Sequence, residues 1–450
     1  MPNVIVFDID TLRTDHLGCA GYFRDTSPTI DRLAREGVFF PDMHASGVAT
    51  GPGQTSMVTG LAPISHHFYL TPYNLPNLID FDDDIPTLAE LVQDAVGGMT
   101  TATFDNLINF KSHMDQFVRG YEYYVNCSRT AQPIHHHLVG GDLNRRLVPW
   151  IAAHADESFF LWVHYWDPHT PYNQPDAYRD LWPTPRGDHS SLPHKRAGAG
   201  YDYVPGWGAA GQLWDPPDEP DANTIELYDG EIRYTDDLIA EVLAEVERQG
   251  LSDDTVVVVT SDHGEQLGQH GMYGHAMLHE AVVQVPLIVW GPGLLPAGRV
   301  VPGYAQHADI APTLLDILGA DPDQLPRFDG ESLLPAIRGE ATLRQEMLIE
   351  GGTWRALVRD GYKFIRGHLA DVPELYDLAN DPMEIVNLAD VETERCAEMR
   401  RDLAQRVRQS LGDQPDPLFS QLAHEVQAWD LELGRVWPSL TWQVPSQRGQ

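Results

Sequence analysis

Thr50 stands directly before a Gly-Pro-Gly segment, and a helix is predicted to begin at Pro52 or just after it. The first backbone N–H groups of a helix have no partner within the helix, and the helix dipole favours negative charge at that end. A hydroxyl in this position is therefore well placed for chemistry on a phosphate or sulfate group. Most Thr-Gly-Pro-Gly segments are simple loops, so the interpretation depends on the residues that lie nearby.

Acidic residues and histidines follow three short apolar segments of the chain. They are Asp8 and Asp10, Asp167 within Asp-Pro-His, and Asp262 with His263 within Asp-His-Gly-Glu. Taken singly, each group is also common at a solvated strand end or in a turn. Their order and spacing together favour a shared site. Because Asp8 lies two residues before Asp10, a strand would direct both side chains to the same face.

Strands that alternate with helices are predicted over most of the chain. The strand candidates are 3–7, 159–164, 255–260 and 286–290, and the helix candidates are 28–37, 223–249 and 309–318. Such alternation is typical of an α/β fold with a large, mostly parallel sheet flanked by helices. In these sheets the ligand crevice lies beyond the carboxyl ends of the strands. The acidic residues and histidines stand at those ends.

The pattern changes near residue 346, where short strands are followed by a helix over about 391–411. We predict a catalytic domain over 1–345, a small α+β C-terminal subdomain over 346–411 and a tail over 412–450. A segment rich in Pro, Gly, Trp and Asp over 174–222 is expected to be a surface insertion, serving as a lid or substrate wall. The aromatic tail either wraps the body or joins a subunit interface, which favours a homo-oligomer.

The chain carries 66 acidic and 30 basic residues, a formal net charge of −36. Such a charge repels nucleic acid and anionic membranes, so neither is expected as a partner. No apolar stretch reaches the roughly 18 residues that a membrane span requires. The N-terminus has no signal-peptide pattern and the three cysteines are scattered, so a cytoplasmic location is expected. An anionic substrate would need local positive charge at the active site.

A series of segments, taken in order, matches the motifs of one family. They are 3–18 (NVIVFDIDTLRTDHLG), 27–37 (SPTIDRLAREG), 56–60 (SMVTG), 167–172 (DPHTPY), 260–265 (TSDHGE), 285–293 (VPLIVWGPG), 309–316 (DIAPTLLD) and 374–382 (ELYDLANDP). The chain resembles the type I sulfatases and their phosphonate monoester hydrolase and phosphodiesterase relatives, within the alkaline phosphatase superfamily. The resemblance covers residues 3 to about 390 and implies an alkaline phosphatase-like fold and a metal-dependent hydrolase of ester bonds.

By position, the resemblance implies that Asp10, Asp262 and His263 bind one divalent metal ion, with the Thr50 oxygen completing the ligand set. Oxygen ligands with one histidine suit Mn²⁺, Ca²⁺, Mg²⁺ or Zn²⁺, and the ligands do not choose among these ions. Asp8 departs from the family pattern. It is predicted to be either an extra ligand or a carboxylate behind the ligands.

Two further histidines are predicted to act on the substrate. His169 and His275 fall where relatives place a histidine and a lysine beside the transferred group. A cationic His275 would stabilise nonbridging oxygens, and either histidine is able to protonate the leaving oxygen. Relatives with two metal ions need a second aspartate and two more histidines, for which the candidates are Asp167, His270 and His307. Their spacing does not reproduce the two-metal set, so one metal ion is favoured.

Positions 50–54 depart from the sulfatase signature. Sulfatases carry Cys/Ser-x-Pro-x-Arg, whose first residue is oxidised to formylglycine, whereas this chain reads Thr-Gly-Pro-Gly-Gln. Oxidation of threonine would give a ketone, so no formylglycine is expected. Gln54, predicted to bind substrate, removes the cation of the signature. The lysine-containing Gly-Lys-Trp-His stretch of many sulfatases is also absent, with 104–110 (FDNLINF) roughly in its place.

These departures favour phosphoester chemistry. Threonine nucleophiles resemble those of phosphodiesterases and of phosphoglycerol or phosphoethanolamine transferases. The chain is predicted to hydrolyse a phosphodiester or a phosphonate monoester through attack by Thr50, with a phosphothreonine intermediate that water releases. Two alternatives stay open: a sulfatase acting through unmodified Thr50, and a weakly active binding protein that kept the fold. The expected partner is a small-molecule phosphate, phosphonate or sulfate ester, whose identity the sequence does not fix.

Overall fold

The computed structural model describes residues 1–69, 81–105, 115–126, 140–182, 224–275, 277–351, 354–367 and 373–418. In chain order, the strands are β1 (Asn3–Ile9), β2 (Val38–Phe40), β3 (Met43–His44), β4 (Gly47–Val48), β5 (Thr100–Asp105), β6 (Tyr123–Asn126), β7 (Phe159–Tyr165), β8 (Thr255–Thr260), β9 (Gln266–Leu267), β10 (Tyr273–Gly274), β11 (Leu287–Trp290), β12 (Arg299–Val300), β13 (Ala305–Gln306), β14 (Glu346–Gly351), β15 (Trp354–Arg359), β16 (Tyr362–Gly367) and β17 (Pro373–Asp377). The α-helices are α1 (Pro28–Glu36), α2 (Thr50–Thr59), α3 (Pro63–His66), α4 (Leu88–Leu91), α5 (Gly140–Ala153), α6 (Asp176–Arg179), α7 (Thr224–Arg248), α8 (Glu280–Val283), α9 (Ile310–Ile317), α10 (Leu334–Arg338) and α11 (Thr393–Leu411).

An eight-stranded sheet forms the centre of the molecule, in the order β12-β2-β11-β8-β1-β7-β5-β6. Five adjacent strands of this sheet run parallel to one another, namely β8, β1, β7, β5 and β6. β11 runs antiparallel to both β8 and β2. This mostly parallel sheet with helices on both faces confirms the predicted α/β fold class.

Alternation along the buried strands assigns side chains to the two helical layers. In β1, Ile5, Phe7 and Ile9 pack toward α1, α5 and α7. Val4 and Val6 pack on the other face, toward α2, α9 and α10. Because successive strand residues point to opposite faces, Asp8 and Asp10 follow these two valines onto the face that α2 covers.

A five-stranded sheet follows in the C-terminal part of the chain, in the order β17-β16-β15-β14-β4. β14 to β17 are antiparallel, and α11 packs on them through Cys396, Met399 and Leu403. This is the predicted small α+β subdomain. Its edge strand β4 comes from the N-terminal part and pairs in parallel with β14. Since β4 lies just before α2, the smaller sheet supports the backbone that leads into Thr50. The predicted domain limits at 345 and 411 stay predictions.

Three local expectations were wrong or lie outside the described residues. Helix α2 begins at Thr50 rather than at Pro52. The first strand continues to Ile9, so Asp8 lies inside it rather than closing it. Most of the predicted insertion, and the tail beyond residue 418, lie outside the described residues. Among the helices described, none is long and apolar enough to cross a membrane.

Candidate active site

Helix α2 brings the Thr50 hydroxyl to the carboxyl ends of the central strands. Pro52 is compatible with the early start of the helix because the first N–H groups of a helix have no partner within it. Gly53 permits a close approach between α2 and the chain after β8. A Cβ at this position would lie only 2.4 Å from the backbone oxygen of Asp262. Thr50 itself is buried, at 3% exposure.

Four neighbouring strands carry a polar residue at the same level of the sheet. Asp105 in β5 is paired in register with His164 in β7, His164 with Asp8 in β1, and Asp8 with Thr260 in β8. Residues paired in register point to the same face of a sheet. These four residues form a buried polar row across the sheet beneath α2. Asp10 lies two residues after Asp8, just beyond the end of β1.

Asp10 and Asp262 each direct an oxygen that has no hydrogen-bond partner among the described residues. Both side chains are fully buried. The backbone N–H groups of Thr11 and His263 donate to Asp262 Oδ1, at 3.2 and 2.8 Å, while Oδ2 is unpaired. Asp10 Oδ1 is likewise unpaired. Buried carboxylate oxygens without donors are costly, and they are the groups that a divalent cation would bind.

The electrostatics of the carboxylates lead to the same conclusion. Burial, with repulsion from Asp262, raises the pKa of Asp10 to about 7. Burial also raises the pKa of Asp8 well above its ordinary range, and its neighbours Asp262 and Asp10 add to the rise. Both shifts reflect negative charges held together away from water. A bound cation would stabilise the charged form of both carboxylates and so offset both pKa shifts, which means that the residues fit a metal ion.

His263 faces Thr50 with its unprotonated nitrogen. Its Nδ1–H donates to the backbone oxygen of Gly264 at 2.9 Å. This fixes Nε2 as the lone-pair nitrogen. Nε2 lies 3.2 Å from Thr50 Oγ, 3.7 Å from Asp10 Oδ1 and 3.5 Å from Asp262 Oδ2. Thr50 Oγ is also 3.4 Å from Asp10 Oδ2. His263 Nε2 thus lies within 4 Å of an oxygen of each of the other three residues predicted as metal ligands.

His275 and His169 continue the line of polar side chains away from Thr50. The His275 ring lies 4.2 Å from the His263 ring, and the His169 ring lies 5.2 Å from that of His275. Glu265 accepts a hydrogen bond from His275 Nδ1 at 2.9 Å. The His169 Nδ1–H donates to the backbone oxygen of Thr170 at 2.5 Å. Both rings are therefore held in a defined tautomer, with Nε2 as the atom able to exchange a proton with substrate.

Gln54 and Asp8, which both depart from the family pattern, are paired with each other. Gln54 Nε2 donates to Asp8 Oδ2 at 2.9 Å, and both side chains are buried. The amide that was predicted to bind substrate is thus engaged by a carboxylate behind α2. The role of Asp8 as an extra ligand stays a prediction.

The three candidates for a second metal ion contact different groups. Asp167 Oδ2 accepts from the backbone N–H of Gly140 at 2.8 Å. His307 Nε2 donates to the backbone oxygen of Ser261 at 2.8 Å. The His270 ring stacks on His279 at 3.9 Å. No shared ligand site unites these three in the part of the chain that the structure describes.

His164 and Asp105 are site residues that the sequence patterns did not reveal. His164 Nε2 lies 3.7 Å from Asp10 Oδ2, and its Nδ1 lies 2.9 Å from Asp105 Oδ1. Together with Asp10 and Asp262, His164 forms a group able to hold a metal ion. Burial lowers the pKa of His164, but the carboxylates of Asp10 and Asp105 outweigh this and raise it well above its ordinary value. The sequence feature that could have indicated His164 and Asp105 is that a polar residue stands at the end of each apolar segment.

The chain is similar to known proteins over most of its length. The Sulfatase family model matches residues 2–320, and a model of the N-sulphoglucosamine sulphohydrolase C-terminal region matches residues 268–411. Choline-sulfatase of Rhizobium meliloti is 25% identical, over 86% of this chain and 82% of that protein. A multifunctional alkaline phosphatase superfamily protein of Trinickia caryophylli is 26% identical, over 86% and 91%.

The fold has close counterparts among solved structures. The phosphonate monoester hydrolase of Silicibacter pomeroyi superposes with a TM-score of 0.73 at 23% identity, covering 91% of this chain and 95% of that one. The enzyme of the same name from Agrobacterium radiobacter gives a TM-score of 0.72 at 21% identity, covering 91% and 96%. The family match spans more than half of the chain. The chain belongs to the sulfatase family of ester-bond hydrolases.

Proposed function

We propose that this hydrolase cleaves phosphoesters, either phosphodiesters or phosphonate monoesters, with Thr50 as its nucleophile. The observation that carries the proposal is the position of the Thr50 hydroxyl. It lies at the first turn of α2, within 3.4 Å of Asp10 and His263, beside carboxylate oxygens that no described donor satisfies. An alcohol in this setting is activated when its pKa is lowered.

Asp10, Asp262, His263 and the Thr50 oxygen would hold a divalent cation. When bound, such an ion would lower the pKa of the Thr50 hydroxyl and offset negative charge on the transferred group. The ligands that carry this proposal are two carboxylates, an imidazole and a hydroxyl, all buried. That donor set accepts any of Mn²⁺, Ca²⁺, Mg²⁺ or Zn²⁺.

In the first half-reaction, Thr50 attacks in line with the leaving group. The Thr50 hydroxyl loses its proton to solvent, the Oγ–P bond forms as the bond from phosphorus to the leaving oxygen breaks, and that oxygen takes a proton from Nε2 of His275 or His169. Glu265 would hold His275 in the orientation that this transfer needs. The positive end of the α2 dipole, at Thr50, favours the negative charge of the phosphoryl oxygens.

In the second half-reaction, water cleaves the phosphothreonine. The histidine that gave up its proton accepts one from the attacking water, the new P–O bond forms as the P–Oγ bond breaks, and Thr50 Oγ takes a proton back from solvent to restore the alcohol. Formylglycine enzymes release their ester by a different route, through a geminal diol. Threonine cannot supply that diol, so hydrolysis at phosphorus is the consistent outcome.

The substrate's charge is a further support for this class. Gln54 replaces the arginine of the signature and pairs with Asp8. Phosphodiesters and phosphonate monoesters carry one negative charge, whereas phosphate monoesters carry up to two. A site that lacks the signature cation, in a protein of net charge −36, favours the singly charged esters.

Sulfate monoesters are also singly charged, and sulfate is the group named for several relatives, choline-sulfatase among them. The second candidate function is therefore a sulfatase that acts through unmodified Thr50. A binding protein with little activity is the third. These candidates differ in which ester is turned over and in whether Thr50 is required.

The test is a panel of aryl esters with metal-reconstituted protein, comprising a phosphate monoester, a phosphate diester, a phosphonate and a sulfate. We expect kcat/KM to be highest for the diester or the phosphonate. Thr50→Ala should lower it by a factor of about 10³ or more, and Thr50→Ser, the matched control, should stay within about tenfold. Faster turnover of the sulfate than of every phosphoester would reject the proposal. Wild-type rates in Thr50→Ala would exclude Thr50 as nucleophile.

A further inference from the structure

His164 has a nitrogen that the proposed mechanism does not use. Its Nδ1 is bonded to Asp105 Oδ1 at 2.9 Å. A carboxylate only accepts, so Nδ1 carries a proton, and in the neutral form that a metal ligand requires the lone pair would lie at Nε2. This atom has no hydrogen-bond partner within the described ranges, and the side chain is 2% exposed.

The unsatisfied nitrogen lies next to unsatisfied oxygens. His164 Nε2 is 3.7 Å from Asp10 Oδ2. Ligand atoms of Asp10, His164 and Asp262 all lie within 4.8 Å of one another. Bonds of roughly 2.0–2.2 Å to one ion place its ligand atoms about 3–4 Å apart. Three buried polar groups, on three neighbouring strand ends, therefore converge on a single point that one ion would satisfy.

We propose that His164 is a further ligand of the cation held by Asp10 and Asp262, and that Asp105 is the residue that positions it. The proposal rests on the proposed function, since it concerns the same ion. A carboxylate that accepts from the second nitrogen of a ligand histidine fixes the ring's tautomer and raises its affinity for metal. Asp105 and His164 are paired in register on the adjacent strands β5 and β7, so the sheet itself holds the carboxylate beside the imidazole.

A second histidine ligand would give the site a preference among metal ions that a single histidine ligand does not give. With His164 and His263 together, two imidazoles join two carboxylates and the Thr50 oxygen. Imidazole nitrogens suit Zn²⁺ and the later transition metals such as Co²⁺ and Ni²⁺, whereas Ca²⁺ and Mg²⁺ take oxygen ligands almost exclusively. The chain should therefore select a transition metal over Ca²⁺.

The test measures metal binding directly, without substrate. Chelator-stripped protein is titrated with Co²⁺ and with Ca²⁺, following bound metal by mass spectrometry and the visible absorption of Co²⁺. His164→Ala should weaken Co²⁺ binding about 100-fold or more, shift the absorption band and lower the ratio of Co²⁺ to Ca²⁺ affinity. Asp105→Asn should weaken it about 10–100-fold. His66→Ala, which changes a buried histidine that bonds Ser56 instead, is the matched control and should stay within about threefold.

The outcomes separate the inference from the function on which it rests. Unchanged Co²⁺ affinity and absorption in His164→Ala and Asp105→Asn would overturn the inference while leaving the Asp10 site intact. If Asp10→Ala also binds metal like the wild type, the metal site of the proposed function fails as well. Should His164→Ala lose its near-UV circular dichroism, Asp105→Asn decides the question, because asparagine keeps an acceptor for Nδ1–H.

Discussion

Gly53→Ala tests whether the spacing between α2 and Asp262 controls the site. On an exposed helix this change would stabilise by roughly 0.5–1 kcal/mol, because alanine is the better helix former. Here the new methyl group would sit 2.4 Å from the backbone oxygen of Asp262, where real contacts are at least 3.0 Å. The difference, 3.0 minus 2.4, requires the two elements to separate by about 0.6 Å.

The separation has a structural and a catalytic consequence. Overpacking of a rigid contact costs roughly 1–3 kcal/mol, which exceeds the gain in helix propensity. We expect a net loss of stability of about 0.5–2 kcal/mol. A displacement of 1 Å between reacting groups costs on the order of 10²-fold in rate, so a shift of about 0.6 Å between Thr50 and its partners should lower kcat/KM by roughly 10- to 100-fold.

The assays are kcat/KM on the best aryl ester of the panel, bound metal, and urea unfolding. Ser56→Ala is the matched control, since it lies in the same helix and also creates an alanine. It removes a hydrogen bond of 3.0 Å with His66, worth about 1 kcal/mol, and should change kcat/KM less than threefold. If Gly53→Ala were more stable than the wild type and equally active, the close approach of α2 to Asp262 would be wrong.

Three further predictions follow from other contacts. Glu265→Gln removes the carboxylate that orients His275; kcat should fall about tenfold with KM little changed, and its pH profile should shift, whereas an unaltered profile would deny His275 a proton-transfer role. Burial lowers the pKa of His66 to about 3. Because the unfolded chain then takes up the proton first, stability should fall by up to about 1.4 kcal/mol per pH unit as the pH drops from about 6.5 toward 3; urea unfolding across this range should show that slope weakened in His66→Gln, and identical slopes would contradict it. Lys363 is fully buried between Glu280 and Glu384, so Lys363→Met should lower the free energy of unfolding by about 3–5 kcal/mol because it leaves both carboxylates without their cation. Urea unfolding of the variant measures this, and a decrease below about 1 kcal/mol would refute it.

The site residues that can be predicted from the sequence are those that lie together at one strand end or within one motif. Asp8 and Asp10 share a strand, and Asp262 and His263 are adjacent, so the alternation of a strand and the rule for parallel sheets were sufficient to group them. Thr50 was recognised from its place before a helix. That helix begins two residues before Pro52 because proline is accepted at any position of the first turn, so the proline alone does not mark the first residue.

The residues that were missed depend on the order of the strands. Asp105 and His164 are 59 residues apart and meet only because β5 lies beside β7. His164 then meets Asp10 because β7 lies beside β1. Strand order is a tertiary property that no local pattern encodes. The sequence shows that each apolar segment ends in a polar residue. Because strands in all parts of the sheet share this feature, it does not single out Asp105 and His164.

Gln54 and Asp8, the two departures from the family pattern, form a hydrogen bond with each other. An arginine at position 54 would supply the signature cation, and an aspartate at position 8 would pair with it behind α2. With glutamine instead, the carboxylate of Asp8 keeps a hydrogen bond but no countercharge. Asp8, Asp10 and Asp262 are then buried near one another, with the imidazoles of His164 and His263 beside them. Under the proposed function, the positive charge of this site would come mostly from a bound cation, which would neutralise a single negative charge on the substrate more readily than two. The absence of the arginine and the preference for a singly charged ester would then have one cause, and substrate affinity would depend on the metal ion rather than on a fixed side chain.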